Sequence, residues 1–217
     1  MTFISFRRHY VDQMFSSVRF SGAVLDVGGQ KVGKRGSFHP PLSDVECWHY
    51  LNIEEKFEPD FICSADDMSL VQNDTYDFVV LTEVLEHLQN PERTLQEIHR
   101  VLKPSGKLVA SMPFLYGIHG DPDDFQRWTP SKFENVMNKQ GWLNVEVNHM
   151  GGFGAVFYDL YYMYWGSADK GRDLLKARVM RKLGQWIIAP VVRVLEKREG
   201  EKKRKITTGW FVTAQKS

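Results

Sequence analysis

Cysteine is scarce in this chain of 217 residues, where only Cys47 and Cys63 occur and neither belongs to a Cys-x-x-Cys pair. This scarcity argues against a disulfide framework and against a structural zinc site built from cysteines. Long apolar runs are missing too, since none reaches the roughly 18 residues of a membrane span and the first ten residues lack the apolar core of a signal peptide. We therefore expect a globular, cytoplasmic protein whose 42% hydrophobic residues are enough for a sizeable core.

Phosphate-binding glycine motifs are absent as well. In "GGQKVGKRG", Arg35 stands where a P-loop requires Ser or Thr, and the spacing of Gly28, Gly29 and Gly33 does not match GxGxxG. No Asn-Pro-Pro-Tyr tetrad of the base-flipping type follows the third predicted strand, where the sequence reads "LTEVLEH". These absences argue against a P-loop, a dinucleotide cofactor and a nucleic-acid substrate.

Strand and helix patterns alternate along the first two thirds of the chain. A short apolar run at 24–27 precedes the glycines, and a β-branched run from Tyr76 continues into a helical start. "PERTLQEIHRVL" has Pro at a helix start and apolar residues at helical spacing, and "KPSGKLVASMPF" predicts a turn and a fourth strand. With "HYLNIE" (49–54) as the second strand, the pattern predicts an α/β protein with a doubly wound, mostly parallel sheet.

The last third predicts a helix in "SKFENVMNKQGW" capped by Ser131, then a strand in "LNVEVNHM" and a final strand in "TTGWFVTAQKS". An insertion at 151–205 separates these two strands. The aromatic first half of the insertion either lines an acceptor pocket or packs in the hydrophobic core. Its second half is basic: residues 169–205 hold thirteen Lys or Arg against five Asp or Glu, while the rest of the chain holds fifteen against twenty-two.

An apolar stripe at helical spacing runs through the basic half of the insertion. This stripe either packs against the core, with the charges solvated, or lies on an anionic bilayer and gives the protein a peripheral membrane contact. Its members are Leu174, Leu175, Val179, Leu183, Trp186 and Ile187.

The glycine pair after the first strand allows a ligand to approach the backbone closely. Because the carboxyl ends of parallel strands meet at one edge of the sheet, the ligand is expected there. Because the phosphate-binding motifs are absent, a site for a nucleoside without a phosphate remains. Such a site requires a carboxylate at the end of the second strand to bind both ribose hydroxyls. Glu54 lies 21 residues beyond Gly33 and fits this role, while Asp66 or Asp67 is available for the adenine amine.

The sequence resembles the class I S-adenosylmethionine-dependent methyltransferases, in the small-molecule branch that includes the type 11-like enzymes. The resemblance is carried by "VLDVGG", "YLNIE", "SADDMSL", "YDFVVLTEVLEHL", "PERTLQEIHRVLKPSGKLVASMPF" and "GWFVTAQK". It implies one methyltransferase domain over 1–217 with a seven-stranded, Rossmann-like sheet and a helical insertion before the last strand. The segment "KVGKRGSFHPPLSD", with two glycines and two prolines, departs from the helix that commonly follows the glycine loop.

The resemblance also assigns cofactor-binding residues for S-adenosyl-L-methionine. The amino-acid end would lie against Asp26, Gly28 and Gly29, and Glu54 would bind the ribose. The remaining expected contacts are Asp66, Asp67 and Met68 around the adenine, and Thr82 and Glu83 under the methionine moiety.

Acceptor residues are expected in the loop after the fourth strand and in the helical start after the third. His119 and His87 are the candidate catalytic bases, because a histidine can take a proton near neutral pH. In the resembling branch, an element like "HGDPDDFQRWT" often accompanies sugar or surface-polysaccharide methyltransferases. It supplies four expected substrate contacts: Asp123, Asp124, Arg127 and Trp128. No metal site is expected, because no second set of ligands accompanies the aspartates of this loop.

These observations predict methyl transfer to a small polar acceptor, namely O-methylation of a sugar or surface-glycan precursor. N-methylation of another small metabolite and a non-catalytic, methyltransferase-like binding subunit are the alternatives. A nicotinamide-dependent enzyme is disfavoured because neither GxGxxG nor a Tyr-x-x-x-Lys pair occurs.

Overall fold

A computed structural model describes residues 5–33, 36–120, 123–166, 174–198 and 205–217. Its seven strands are β1 (Ala23–Val27), β2 (Cys47–Asn52), β3 (Phe61–Ile62), β4 (Tyr76–Thr82), β5 (Leu102–Pro113), β6 (Trp142–Met150) and β7 (Gly209–Lys216). Its α-helices are α1 (Phe6–Ser17), α2 (Pro91–Val101), α3 (Pro130–Lys139), α4 (Phe153–Gly166), α5 (Leu174–Leu183) and α6 (Ala189–Arg198). Within the described ranges, no helix has both the length and the hydropathy needed to cross a bilayer.

The seven strands form one sheet in the order β3-β2-β1-β4-β5-β7-β6. All neighbours pair in parallel except β7, which runs antiparallel to both β5 and β6. The strand order reverses at β1: β2 and β3 follow on one side of it, and β4 then pairs with its other side. This sheet confirms the predicted doubly wound, mostly parallel architecture.

Helices cover both faces of the sheet. On one face, α2 and α3 contribute to the largest core cluster through six buried side chains: Leu95, Ile98, Val101, Phe133, Val136 and Met137. On the other face, α1 packs Val11 and Phe15 against alternate strand residues such as Val24 and Phe78. Each fully buried side chain of this size stabilises the fold by about 1.5–3 kcal/mol.

Some element boundaries differ from the sequence expectation. Strand β2 begins at Cys47 and ends at Asn52, so Glu54 follows the strand instead of closing it. The expected turn at "KPSG" lies inside β5, which is continuous from Leu102, with a pairing irregularity opposite Tyr76 and Phe78. Helix α3 is capped by Thr129, not by Ser131, because Pro130 occupies the first helical position and the Thr129 side chain accepts the Lys132 N–H.

The segment between β1 and β2 confirms its predicted irregularity, since its described parts (28–33 and 36–46) contain no helix. The N-terminal helix α1 was not predicted from the sequence, because charged residues on its buried face weaken the helical pattern of its apolar residues. A cap signal was present there: the Ser5 side chain accepts the Arg8 N–H at 3.0 Å.

The described part of the insertion before β7 is helical, as predicted, and contains α4, α5, a π-helical turn (Gly184–Ile188) and α6; residues 167–173 and 199–204 lie outside the described ranges. Two buried carboxylates join these helices to each other and to α1. Asp159 of α4 accepts the N–H groups of Phe6 and Arg7 at the start of α1, and Glu196 of α6 accepts the Gly152 N–H just before α4. Helix N-termini carry unpaired N–H groups and partial positive charge, which these carboxylates satisfy.

Candidate active site

The glycine loop leaves β1 at the carboxyl edge of the sheet. Gly28 has φ +78° and its N–H donates to the Leu51 carbonyl of β2 at 2.7 Å. A Cβ at Gly28 would lie 2.5 Å from Val84 Cγ2, and a Cβ at Gly29 would lie 2.4 Å from the Asp26 carboxyl carbon. Backbone conformation and close packing therefore favour glycine at position 28, and close packing against Asp26 favours it at position 29, a reason that the sequence alone did not reveal.

Asn52, which ends β2, holds this loop in place and was not singled out from the sequence. Its side-chain amide donates to the carbonyls of Gly28 and Gly29 at 3.3 and 3.0 Å, and its side-chain oxygen accepts the Glu54 N–H at 3.0 Å. The Glu54 side chain is 40% exposed and pairs with Lys56. The loop carbonyls and the Glu54 carboxylate thus lie at the ends of adjacent strands.

The "SADDM" stretch follows β3. Asp66 is half-buried and accepts the Ser64 hydroxyl, and Asp67 is exposed. The Met68 side chain is fully buried in the main core, and its backbone N–H donates to Glu97 at 3.0 Å. Of the three residues expected around the adenine, the two aspartates have side chains with access to solvent, whereas the methionine contributes to the packing beneath them.

A buried ion pair lies where β4 ends. Glu83, directly after Thr82, has φ +55° and receives Arg7 Nη1 of α1 at 2.7 Å. The Arg7 guanidinium also lies 3.8 Å from the ring centroid of Tyr116, in the loop after β5. Burial acts to lower the pKa of Arg7, but the surrounding acidic groups outweigh it and raise that pKa, so Arg7 stays charged. Helix α1, which was not predicted from the sequence, therefore brings Arg7 to the end of β4 and to the loop after β5.

Beside this pair, Glu86, His87 and His119 come together from the 3-10 turn at Leu85–His87 and the loop after β5. His87 Nε2 and His119 Nε2 lie 3.7 and 3.8 Å from Glu86 Oε1, and the two imidazole rings are 5.3 Å apart. Burial, followed by the charge of Glu83, raises the pKa of Glu86 to about 8. Burial, followed by the charge of Arg7, lowers the pKa of His119. The fold thus unites the two predicted histidines around a carboxylate that the sequence analysis did not select.

The loop between β5 and α3 is organised by Asp124. This carboxylate accepts the His119 N–H at 2.9 Å and pairs with Arg127, whose Nη2 lies 2.7 Å from Oδ2. The hydrogen bonds from Arg127 are the main cause that lowers the pKa of Asp124 to about 2. Asp123 is exposed, while Asp121 lies outside the described residues.

Trp128, expected to contact substrate, lies in the core. The residue is only 3% exposed, its ring packs edge-on against Phe133, and its Nε1 donates to Gln126 at 2.7 Å. The loop between β5 and α3 presents polar side chains such as His119 and Asp124, and it also exposes apolar ones: Ile118 is 89% exposed and Phe125 is 48% exposed.

Residues 7–146 match the family model described as a methyltransferase domain. The chain belongs to the methyltransferase domain family. This match covers more than half of the chain and, with the strand order, confirms the resemblance to class I S-adenosylmethionine-dependent methyltransferases. The chain therefore contains a methyltransferase domain of the class that uses S-adenosylmethionine as its cofactor.

Individual relatives are distant. Probable polyketide synthase 39 of Dictyostelium discoideum is 28% identical over 129 residues, which span 48% of this chain and 4% of that protein. A SAM dependent methyltransferase from Archaeoglobus fulgidus superimposes with a TM-score of 0.55 at 13% identity, over 96% of this chain and 92% of that chain. Phosphoethanolamine N-methyltransferase 2 of Haemonchus contortus, solved in complex with S-adenosyl-L-methionine, has a TM-score of 0.55 at 15% identity, over 99% of this chain and 54% of that chain. At these identities the two solved structures support the fold.

Proposed function

We propose that this methyltransferase transfers the methyl group to an oxygen of a small polar acceptor, of the sugar or glycan-precursor class. The observation that carries this proposal is the polar cluster of Glu86, His87 and His119, which adjoins the ion pair of Asp124 and Arg127. Sugar hydroxyls both donate and accept hydrogen bonds, and a site of carboxylate, imidazole and guanidinium groups matches both functions. An apolar acceptor would leave these groups desolvated and unpaired.

We assign the cofactor to the edge formed by the ends of β1 and β2. The backbone of Gly28 and Gly29 with Asp26 would face the amino-acid end, and Glu54 would accept the ribose hydroxyls. The hydrogen bonds from Asn52 to the carbonyls of the glycine loop support this assignment, because a rigid loop loses little entropy when the cofactor binds. Asp66, Asp67 and the Met68 backbone would border the adenine, and Thr82 and Glu83 would border the methionine moiety.

Calorimetric titration with S-adenosylmethionine and S-adenosylhomocysteine tests the cofactor assignment. Glu54→Gln should weaken binding by about 10–100-fold, because it removes hydrogen bonds to a charged acceptor that contribute about 1.5–3 kcal/mol. Glu55→Gln is the matched control, since Glu55 is an exposed neighbour with the same side chain. Equal affinity in the two variants would contradict the role given to Glu54.

Bound S-adenosylmethionine supplies an electrophilic methyl group on a sulfonium. We propose that His87 and His119 favour transfer of the acceptor hydroxyl proton to solvent water, while Asp123, Asp124 and Arg127 hold the acceptor. In the balanced reaction an oxygen–carbon bond forms, the carbon–sulfur bond breaks, and its electron pair stays on sulfur. Alignment of the acceptor oxygen with the methyl carbon is then the main contribution of the protein.

The acceptor class is tested with sugars, sugar nucleotides and small amines, using cofactor labelled in the methyl group and identification of the methylated atom by NMR. Methyl ethers should form, and His119→Ala should slow their formation with cofactor affinity unchanged. Methylation of amines alone would replace this proposal with N-methylation. Cofactor binding without turnover of any acceptor would favour a non-catalytic binding subunit.

We further propose that the helical insertion contacts an anionic membrane. In α5 to α6 the residues that face the protein are mostly small (Ala177, Gly184, Ala189 and Val192), whereas bulky apolar side chains are exposed. Trp186 is 77% exposed and Leu175 is 70% exposed. Six exposed Lys or Arg side chains accompany them: Lys176, Arg178, Arg181, Lys182, Arg193 and Lys197. This combination fits an interfacial amphipathic surface, and it would bring the enzyme to a lipid-linked glycan precursor.

Co-sedimentation with vesicles tests this contact. Binding should require anionic lipid, weaken as salt is raised, and fall at least tenfold in the double variant Leu175→Ser, Trp186→Ser. Leu42→Ser is the control, because Leu42 is equally apolar and 67% exposed but lies between β1 and β2. Absence of binding to anionic vesicles at low salt would remove the membrane proposal and leave the catalytic one intact.

A further inference from the structure

We propose that Glu86, His87 and His119 form a binding site for one divalent metal ion of the zinc type. Each residue offers one ligand atom, and the three atoms lie within 4.8 Å of one another. They come from two segments, the turn after β4 and the loop after β5, which the parallel pairing of these strands places side by side. No metal site was predicted from the sequence, because the aspartates of the loop have no second set of ligands near them along the chain.

Glu86 is the first reason for this proposal. The residue is fully buried, and neither carboxylate oxygen has a hydrogen-bond partner among the described residues. A buried carboxylate without partners is costly, and such groups in proteins are normally paired, protonated or bound to a metal. Its Oε1 is directed at the two imidazoles instead of at Arg7, which pairs with Glu83. A cation among these three residues would satisfy the carboxylate.

The orientation of the histidines is the second reason. His87 Nδ1 lies against the Asp123 carbonyl, and His119 Nδ1 lies 3.1 Å from the Gly117 carbonyl. A carbonyl only accepts hydrogen bonds, so in both rings the proton belongs on Nδ1 and the lone pair on Nε2. Both Nε2 atoms face Glu86 Oε1. Metal-binding histidines are commonly oriented by such a hydrogen bond on the second ring nitrogen.

The distances fit a small divalent ion after modest contraction. Zinc binds imidazole nitrogen and carboxylate oxygen at about 2.0–2.2 Å, so neighbouring ligand atoms in a tetrahedral site are roughly 3.3–3.6 Å apart. The two separations from Glu86 Oε1, 3.7 and 3.8 Å, are close to this range. Two nitrogens and one oxygen suit zinc or a similar transition metal better than magnesium or calcium, which prefer oxygen ligands. Three protein ligands also leave a coordination position open.

The open position gives the site a role, and this role rests on the proposed O-methylation. The acceptor hydroxyl would occupy the open position, where the cation lowers its pKa and the proton leaves to solvent water. The oxygen then attacks the methyl carbon, and the electron pair of the broken carbon–sulfur bond stays on sulfur. His87 and His119 would thus activate the acceptor as metal ligands, not as bases.

The test titrates chelator-treated protein with Zn²⁺ by calorimetry and with Co²⁺ by visible absorption. One ion per chain should bind, and Co²⁺ should give the intense absorption of a four- or five-coordinate site. Loss of a residue that only hydrogen-bonds to a metal ligand commonly weakens metal binding by about 10–100-fold. His119 is proposed as a direct ligand, so His119→Ala should weaken metal binding at least about 100-fold. Glu86→Gln should also weaken it, and this variant should fold because the amide has nearly the same size as the carboxyl that it replaces. His39→Ala is the control, since His39 is exposed and remote in the loop before β2.

If the wild type and the His119→Ala variant bind the metal with the same affinity and stoichiometry, the proposed metal site is wrong. Calorimetry of the same samples with S-adenosylmethionine separates the two hypotheses: intact cofactor binding without specific metal binding would reject the metal site alone. If metal binds but chelated enzyme methylates its acceptor at the full rate, the activating role is rejected. Restoration of a chelator-suppressed rate by Zn²⁺ or Co²⁺ would support that role.

Discussion

Asp159 joins the helical insertion to the N-terminal helix, and its removal would test how the site is assembled. Its two carboxylate oxygens accept the N–H groups of Phe6 and Arg7 at 2.7 and 2.9 Å, and the residue is 1% exposed. Both donors belong to the first turn of α1, where N–H groups have no partner within the helix. Asp159→Ala would therefore leave two buried donors unpaired and release the helix that supplies Arg7 to the site.

The magnitude follows from these two contacts. Each hydrogen bond to a charged acceptor contributes about 1.5–3 kcal/mol, and entry of water to the freed groups recovers part of that, so we expect Asp159→Ala to lower the free energy of unfolding by about 2–4 kcal/mol. Glu92→Ala is the control: its exposed ion pair with Lys132 is expected to contribute below about 1 kcal/mol. Urea unfolding followed by tryptophan fluorescence and circular dichroism at pH 7 measures both. A loss no larger than that of the control would refute the reasoning.

The pH dependence supplies a second, independent readout. Burial raises the pKa of Asp159 from 3.8 to about 6, with the N–H groups of Arg7 and Phe6 acting in the opposite direction. Because the folded-state pKa is the higher one, the protonation of this carboxyl adds stability that is complete below about pH 4 and is lost as the pH rises through about 6, while the two hydrogen bonds still stabilise the fold at pH 7. The deficit of Asp159→Ala should therefore be larger at pH 4.5 than at pH 7.5. A deficit that grows with pH would mean that the hydrogen bonds outweigh burial.

Four further substitutions, at three local features of the fold, are tested by the same unfolding measurement. Gly29→Ala places a Cβ 2.4 Å from the Asp26 carboxyl carbon, so we expect a loss of about 1–3 kcal/mol and weaker cofactor binding, and unchanged values would contradict the close packing. Thr129→Ala should cost about 1 kcal/mol and Ser131→Ala almost nothing, whereas the reverse order would restore the cap expected from the sequence. Glu196→Gln, which perturbs the hydrogen bond from the N-terminus of α4, should cost about 1–3 kcal/mol, and a variant as stable as the wild type would argue against it.

The doubly wound sheet could be predicted from the sequence because the patterns that indicate its strands and helices are local. Apolar runs, the proline that begins α2 and the glycines after β1 each report on a few neighbouring residues, and alternation of strand and helix restricts the topology to few choices. Boundaries were less predictable: β2 ended before Glu54, and Pro130 moved the cap of α3 to Thr129. Helix α1 was missed, although Ser5 provided a local cap signal.

By itself, the sequence determined the family, the sheet and the strand ends at which ligand-binding residues are expected, since all of these follow from motifs and periodicity. Only the tertiary structure decided which of those residues meet. Arg7 pairs with Glu83, which lies 76 residues further along the chain, and Glu86 lies between His87 and His119 although 32 residues separate the two histidines. Burial is also a tertiary property: it placed Trp128 and Met68 in the core and left Trp186 exposed. Such contacts depend on how distant segments pack, which spacing along the chain does not encode.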